Sequence, residues 1–134
     1  MIFKQPAHAA CVFVFDIDGN VLTVTRRNTD ILSLPGGKVD TNETALSAAI
    51  RECGEETGVG LKPHLMLPIY SQIVLGDVDY YTTAFVYLAT CPNNKPRWVM
   101  EPGISAKFST VPELLLGAFA GFNRRALESI TSLR

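Results

Sequence analysis

Three glutamates near the end of one predicted helix form the most chemically informative pattern in the sequence. Glu52, Glu55 and Glu56 stand at positions i, i+3 and i+4, and at about 100° per residue they share one helix face. Like charges at these spacings cost roughly 0.2–0.5 kcal/mol per pair, and the helix dipole disfavours anions at this end. Converging carboxylates are favoured when a hard divalent cation such as Mg²⁺ neutralises them. A solvated acidic helix face is the alternative interpretation of these residues taken alone.

The helix that carries these glutamates is predicted over residues 43–57. Its apolar side chains recur at helical spacing and form the stripe that the helix would bury, made up of Ala45, Leu46, Ala49, Ile50 and Cys53. Thr41 or Asn42 can cap its start, and Gly58 suits the left-handed position after its end.

Strands are predicted on both sides of this helix. Apolar or alternating runs place them at residues 9–15, 21–25, 31–34, 65–75, 80–90 and 104–109. Asp18-Gly19 predicts a hairpin turn between the first two strands. Pro112 suits the first turn of a helix, and a last helix is predicted over residues 122–133. This order indicates an α+β or α/β sandwich in a single domain that spans residues 1–134.

Around the glutamates the sequence resembles the Nudix box, G-x5-E-x7-R-E-U-x-E-E-x-G-U, in which U is a bulky apolar residue. Residues 37–59 contain each fixed residue at the required spacing: Gly37, Glu43, Arg51, Glu52, Glu55, Glu56 and Gly58, with Cys53 and Val59 at the U positions. Cys53 is smaller than the usual residue, which concerns packing because a free cysteine behaves as a small buried hydrophobe. The resemblance implies the α+β fold of that family, an α/β/α sandwich with a mixed β-sheet between helices.

The resemblance also implies an activity, the hydrolysis of a nucleoside diphosphate linked to another group, X, by direct attack of water on phosphorus. Glu52, Glu55 and Glu56 would hold the metal, with help from the carbonyl of Gly36, where the backbone can approach an ion closely. Mg²⁺ is the expected cofactor, and Mn²⁺ can substitute for it. Such an ion would polarise the phosphoryl oxygens and lower the pKa of a bound water.

Three residues are candidates for further catalytic roles. The general base has no fixed position in the family, so Glu52 and Glu101 are both candidates. Glu101 precedes the predicted strand at 104–109, where MutT-type members often place an extra glutamate. Arg51, four residues before Glu55, would either orient the glutamates or form a structural ion pair. Glu43 lies at the helix start, where the dipole favours a carboxylate, and structural support is its expected role.

Nucleoside triphosphates, oxidised ones included, are the expected substrates, cleaved to the monophosphate and pyrophosphate. The short chain is similar to MutT-type members and lacks the motifs typical of NADH pyrophosphatases. By this resemblance Arg26 would contact the substrate, and Asn123 would read the base, since an amide offers a donor and an acceptor. Phe108 and Leu34 would pack against the base. The alternatives are a helix cap for Asn123 and core packing for Phe108 and Leu34.

Other members of the family suggest other functions. A nucleotide sugar, a dinucleotide or capped RNA is the alternative substrate within the same enzyme class. A domain that senses a nucleotide without cleaving it is the alternative from another class, although such domains usually carry a degraded box or an attached DNA-binding domain.

Composition excludes several classes of protein. The 134 residues carry 12 basic and 13 acidic side chains, a net charge of −1, so no basic excess is available to bind nucleic acid. The longest apolar runs, at 9–15 and 114–122, are too short to span a membrane. Three widely spaced cysteines without a CxxC pair support neither a disulfide framework nor a zinc site, so a cytoplasmic location is expected. A homodimer is compatible with the sequence, but no residue identifies an interface.

Overall fold

A computed structural model describes residues 8–26, 29–75, 81–90 and 103–132. Its strands are β1 (His8–Phe15), β2 (Val21–Arg26), β3 (Gly36–Lys38), β4 (Leu67–Leu75), β5 (Tyr81–Thr90) and β6 (Ile104–Ser109). Its α-helices are α1 (Ala45–Thr57), α2 (Val111–Leu114) and α3 (Ala120–Ser132), and a short 3₁₀ turn, Pro63–Leu65, precedes β4. Within these ranges no helix is long and apolar enough to cross a membrane.

The strands form one mixed sheet, with β1 in its interior. The strand order is β4-β5-β1-β2-β6, and β3 also pairs with β1. β1 runs parallel to β5 along its whole length, whereas the β1–β2, β1–β3, β2–β6 and β4–β5 pairs are antiparallel. A strand in this position has both faces covered, which explains its continuous apolar sequence.

Helices cover the two faces of the sheet. On one face Val12 and Val14 of β1 lie in a buried cluster with Cys53 of α1. On the other face Phe13 of β1 lies in a second cluster with Leu114 of α2 and Ala126 of α3. Adjacent residues of β1 therefore serve opposite layers, as strand periodicity requires. The predicted α+β fold, an α/β/α sandwich around a mixed sheet, is confirmed.

Several predicted elements and boundaries were wrong, among them the starts of α1, expected at 43, and of β4, expected at 65. The strand expected at 31–34 is only an isolated bridge between Ser33 and Val24, and the strand in this region is β3, because pairing with β1 outweighs the weak strand preference of its glycines. α1 is capped by Thr44, whose side chain accepts from the N–H of Ser47 at 3.1 Å, rather than by Thr41 or Asn42. The last helix begins at Ala120 instead of 122.

The backbone is strained at Phe119, which directly precedes α3. Its φ is +57°, in the left-handed region that bulky side chains rarely adopt. A residue held there costs of order 1–3 kcal/mol unless it is glycine. The surrounding structure must therefore hold Phe119 in place.

Candidate active site

Helix α1 positions the three glutamates of the Nudix-like segment. Ala48, Ala49 and Cys53 are buried on the side that packs against the sheet. Gly58 ends the helix with a φ of +74°, and its N–H donates to the carbonyl of Gly54 at 2.9 Å. This left-handed cap suits glycine because it has no Cβ, and it fixes where the glutamate-bearing last turn stops.

The three carboxylates lie at different depths. The side chain of Glu56 is fully buried, and its Oε1 accepts from the N–H of Gly36 at 2.8 Å. The Glu52 side chain is largely buried, whereas that of Glu55 is 40% exposed. The helix thus presents carboxylate oxygens from the protein interior out to solvent, beside the Gly36-Gly37 segment of β3.

Arg51 connects this face to the start of the helix. Its guanidinium donates to both carboxylate oxygens of Glu43, at 2.8 and 3.0 Å, and to Glu52 Oε1 at 2.8 Å and Glu55 Oε2 at 3.3 Å. It also donates to the carbonyl of Lys38 at 3.1 Å. Bidentate pairing with a carboxylate is the strong, directional contact of arginine. The guanidinium that pairs with Glu43 therefore also contacts Glu52 and Glu55, and the role of Arg51 in catalysis stays a prediction.

The ion pair between Arg51 and Glu43 shifts the pKa values of both side chains towards their charged forms. The hydrogen bonds from Arg51 lower the pKa of Glu43 from 4.5 to about 2, with a further contribution from the N–H of Asp40. The same pairing raises the pKa of Arg51 above its already high ordinary value. Both groups are therefore charged at neutral pH. Glu43 contacts Arg51 and the backbone before α1, a placement that suits structural support.

Glu43 should make the stability of the protein depend on pH in the acid range. Because folding lowers its pKa from 4.5 to about 2, its contribution to the free energy of unfolding is complete above pH 4.5 and is lost as the pH falls towards 2. Glu43→Gln should therefore lower the urea midpoint at pH 7, and its difference from wild type should narrow by pH 3. Urea unfolding of metal-free protein measures this, with exposed Glu128→Gln as control. A difference as wide at pH 3 as at pH 7 would contradict the prediction.

The donor chemistry of this face fits a hard divalent cation. Glu52, Glu55 and Glu56 offer only carboxylate oxygens, the ligands that Mg²⁺ and Mn²⁺ prefer. A Cβ at Gly37 would lie 2.8 Å from the Glu52 carboxyl carbon, so glycine leaves room there for the carboxylate. Among the described residues, no three Asp, Glu, His or Cys side chains already converge as a metal site. Arg51 holds Glu52 and Glu55 in this arrangement, and a metal ion would share or replace its contacts.

The residues predicted to bind substrate are not all brought together. Leu34 is buried in the cluster on the α3 side of the sheet, whereas Phe108 packs against the cluster under α1. Asn123 is buried inside the first turn of α3, not at its cap, and its Nδ2 donates to the carbonyl of Ala118 at 3.2 Å. The backbone of Arg26 ends β2 opposite Ile104, but its side chain lies outside the described part of the structure.

Glu101, the second candidate base, lies outside the described residues, and its role stays a prediction.

Two features of the structure had little or no signal in the sequence. The Arg51 network also includes Asp40, at 3.4 Å, and the Lys38 carbonyl. The carbonyl contact leaves no trace in a side-chain pattern, because any residue at 38 would supply it. The strained Phe119 was also missed, since no residue type there signals a positive φ.

Comparison with known proteins gives one family match and two partial relatives. A family model described as the NUDIX domain matches residues 5–130. A Bacillus subtilis (strain 168) protein named "Putative 8-oxo-dGTP diphosphatase" is 36% identical over 63 residues, 47% of this chain and 42% of that protein. An ADP-ribose pyrophosphatase of Methanocaldococcus jannaschii is 36% identical over 73 residues, 52% of this chain and 43% of that protein. The matched part thus spans less than half the length of either relative.

Solved structures agree with the family match. The MutT NUDIX hydrolase from Burkholderia pseudomallei superposes with a TM-score of 0.68 at 27% identity, over 95% of this chain and 99% of that chain. The family model covers nearly the whole chain, and the residues of the Nudix box lie on β3, on α1 and next to the two ends of α1. The chain belongs to the Nudix family.

Proposed function

We propose that this protein is a Mg²⁺-dependent hydrolase of nucleoside diphosphate-linked substrates. Nucleoside triphosphates, including oxidised ones, are the proposed preferred class, cleaved by water to the monophosphate and pyrophosphate. The observation that carries the proposal is the Arg51 network, in which one guanidinium contacts Glu43, Glu52 and Glu55 of the Nudix box. Glu56 and Gly36 are joined directly beside it.

The residues of α1 supply the groups that this reaction needs. A bound divalent ion supplies charge neutralisation for the phosphates and helps to activate water. Glu52, Glu55 and Glu56 would hold it, with the Gly36 carbonyl as a further oxygen ligand. Arg51 fixes Glu52 and Glu55 on one side of the helix, so these carboxylates are oriented before substrate binds, which lowers the cost of assembling the site.

Glu52 is our candidate for the general base. Its Oε1 accepts from the Arg51 guanidinium at 2.8 Å, and this charge-assisted contact orients the carboxylate. A charged carboxylate can accept a proton from the attacking water, while the oxygen of that water bonds to phosphorus and the anhydride bond breaks. Glu101 remains the alternative base.

ADP-ribose is the second candidate substrate, because one partial relative is named for its hydrolysis and matches this chain at the same 36% identity as the relative named for 8-oxo-dGTP. Arg26, Leu34, Phe108 and Asn123 stay the predicted substrate-binding residues. A sensing role without hydrolysis is disfavoured by the complete set of box residues.

A nucleotide panel tests the substrate class. Purified protein with Mg²⁺ is incubated separately with the common triphosphates, 8-oxo-dGTP, ADP-ribose, a nucleotide sugar and a dinucleotide polyphosphate, and the products are resolved by chromatography. We expect monophosphate and pyrophosphate from triphosphates, with the highest kcat/KM identifying the base. Cleavage of ADP-ribose alone would retain the enzyme class and overturn the proposed substrate. Binding without cleavage of any member would overturn the hydrolase and favour a sensor.

A further inference from the structure

Three large apolar side chains are exposed where the turn between α2 and α3 meets the segment that follows β2. Leu116 is 89% exposed and Phe119 76%, and both belong to the turn, whereas Ile31 in the segment is 56% exposed. A single apolar side chain at the surface is ordinary, but a contiguous group of them marks an interaction site.

Backbone contacts bring these side chains together. The N–H of Ala118 donates to the carbonyl of Leu32 at 2.9 Å, and a Cβ at Gly117 would overlap the same carbonyl oxygen. The two backbones therefore touch in the middle of the turn. Ile31 directly precedes Leu32, and consecutive Cα atoms are only about 3.8 Å apart. We refer to Ile31, Leu116 and Phe119 together as the apolar patch.

The backbone beneath the apolar patch is fixed from both sides. Ser33 and Val24 exchange two backbone hydrogen bonds, each of 2.9 Å, which hold the segment against β2. Asn123 holds the turn, since its Nδ2 donates to the carbonyl of Ala118 at 3.2 Å and its N–H to that of Phe119 at 2.9 Å. A surface held in this way loses little freedom when a partner binds.

Packing within the chain does not explain the phenylalanine at its strained position. The φ of Phe119 is +57°, and glycine would adopt this conformation without strain. The ring gains little from burial, because most of it is exposed to solvent. A strained residue that the surrounding structure holds in place points to a function outside the fold.

The size of the apolar patch suits the centre of a protein interface. A fully exposed phenylalanine presents about 200 Å², so the exposed fractions of the three side chains amount to about 400 Å². A standard interface takes roughly 800 Å² from each partner, of which roughly 55–65% is apolar. The three side chains alone therefore supply most of the apolar area that one half of a dimer needs.

We propose that the apolar patch is the centre of an interface between two copies of this chain, related by a two-fold axis. In such an interface both copies use the same surface, so an apolar patch meets its own counterpart. The ring of Phe119 becomes buried only in the dimer, and that burial offsets the strain of its backbone.

Other kinds of partner fit the apolar patch less well. Small-molecule sites are concave and shield the side chains that line them, whereas Leu116 and Phe119 protrude from a turn. An anionic lipid surface attracts basic residues, but the exposed Asp30 directly precedes Ile31, and the whole chain has a net charge of −1.

Sedimentation velocity of the whole protein, over about a hundredfold range of concentration, tests the proposal. Wild type should form a reversible dimer. Ile31→Lys and Leu116→Lys should each raise the dimer Kd at least about 10-fold, because the two-fold axis brings like charges together in an apolar surface. Circular dichroism should show both variants folded, since the replaced side chains are exposed.

Leu65→Lys is the matched control for Ile31→Lys. Leu65 is 58% exposed, against 56% for Ile31, and lies in the 3₁₀ turn before β4, at the opposite end of the strand order from β2 and β6. This variant should keep the dimer Kd within about twofold of wild type.

Phe119→Gly separates the interface from the strain. It should weaken the dimer as the lysine variants do. At a concentration so low that wild type is also a monomer, it should unfold at or above the wild-type Tm, because glycine relieves the strain. A Tm several degrees lower would show that the ring packs within its own chain, and would overturn the proposal.

Three sedimentation results would also overturn the proposal. The first is a wild type that stays a monomer at every concentration. The second is a dimer that Ile31→Lys and Leu116→Lys leave unchanged, which would place the interface elsewhere on the chain. The third is equal weakening by Leu65→Lys and Ile31→Lys, which would show association without a defined surface.

Discussion

Replacing Glu55 by glutamine is expected to lower kcat by roughly 100- to 1,000-fold with Mg²⁺, since charge stabilisation by a bound metal contributes several kcal/mol to catalysis. The change keeps the shape of the side chain and removes one negative charge from the face that would hold the metal. Glu55 is the most exposed of the three glutamates on that face, at 40%, and its contact with Arg51 is long, at 3.3 Å. Losing that contact should change the free energy of unfolding by less than about 0.5 kcal/mol.

The separation of activity from stability is what makes Glu55→Gln informative. Steady-state kinetics and urea unfolding are measured on the same preparations, with Glu128→Gln on the exposed surface of α3 as the matched control. The control should retain both wild-type kcat and the wild-type urea midpoint. A Glu55→Gln variant that retains wild-type kcat would show that its carboxylate is part of a solvated helix face and takes no part in the reaction.

Gly36→Ala should have the largest effect on folding of any single methyl addition to this site. Gly36 lies opposite Cys11 in the β1–β3 pair. A Cβ there would overlap the Ala10 carbonyl oxygen and lie 2.6 Å from Cys11 Cβ. The neighbouring atoms belong to an interior strand and cannot move aside cheaply, so we expect a loss of about 2–3 kcal/mol in the free energy of unfolding. Activity should also fall, because β3 carries the N–H that holds Glu56.

Gly54→Ala is the matched control for Gly36→Ala, because it adds the same methyl group to a neighbouring element. Gly54 lies inside α1, and a Cβ there would meet nothing within 4 Å. Alanine is the better helix former by about 0.5–1 kcal/mol, so this variant should gain stability. Urea unfolding of both variants measures the contrast. Equal effects at the two positions would contradict the close backbone contact between β3 and β1.

The sequence was sufficient to predict the α/β/α sandwich and the helix of the Nudix box. Helical spacing of Ala49 and Cys53 identified the buried face of α1, and the apolar run of β1 identified an interior strand. The pairing of Arg51 with Glu55 was also predictable, because residues four apart are neighbours on a helix.

Features that depend on tertiary contacts could not be predicted in this way. β3 is made of residues with weak strand preference and exists because β1 supplies its partners. The hydrogen bond from Gly36 to Glu56 joins residues 20 positions apart, and no local pattern indicates it. Phe119 is the clearest case, since the hydrogen bonds around its positive φ join Ala118 to the distant Leu32 and to Asn123.

Titration with Mn²⁺, followed by electron paramagnetic resonance of the free ion, tests most directly whether the carboxylate face of α1 is a metal-dependent catalytic centre. Wild type, Glu52→Gln, Glu55→Gln and the Glu128→Gln control are compared in the same buffer, with and without a nucleoside triphosphate. We expect wild type and control to bind Mn²⁺ alike, and the two α1 variants to bind it at least 10-fold more weakly. Equal Mn²⁺ binding by all four proteins would contradict the assignment of the metal site to these glutamates.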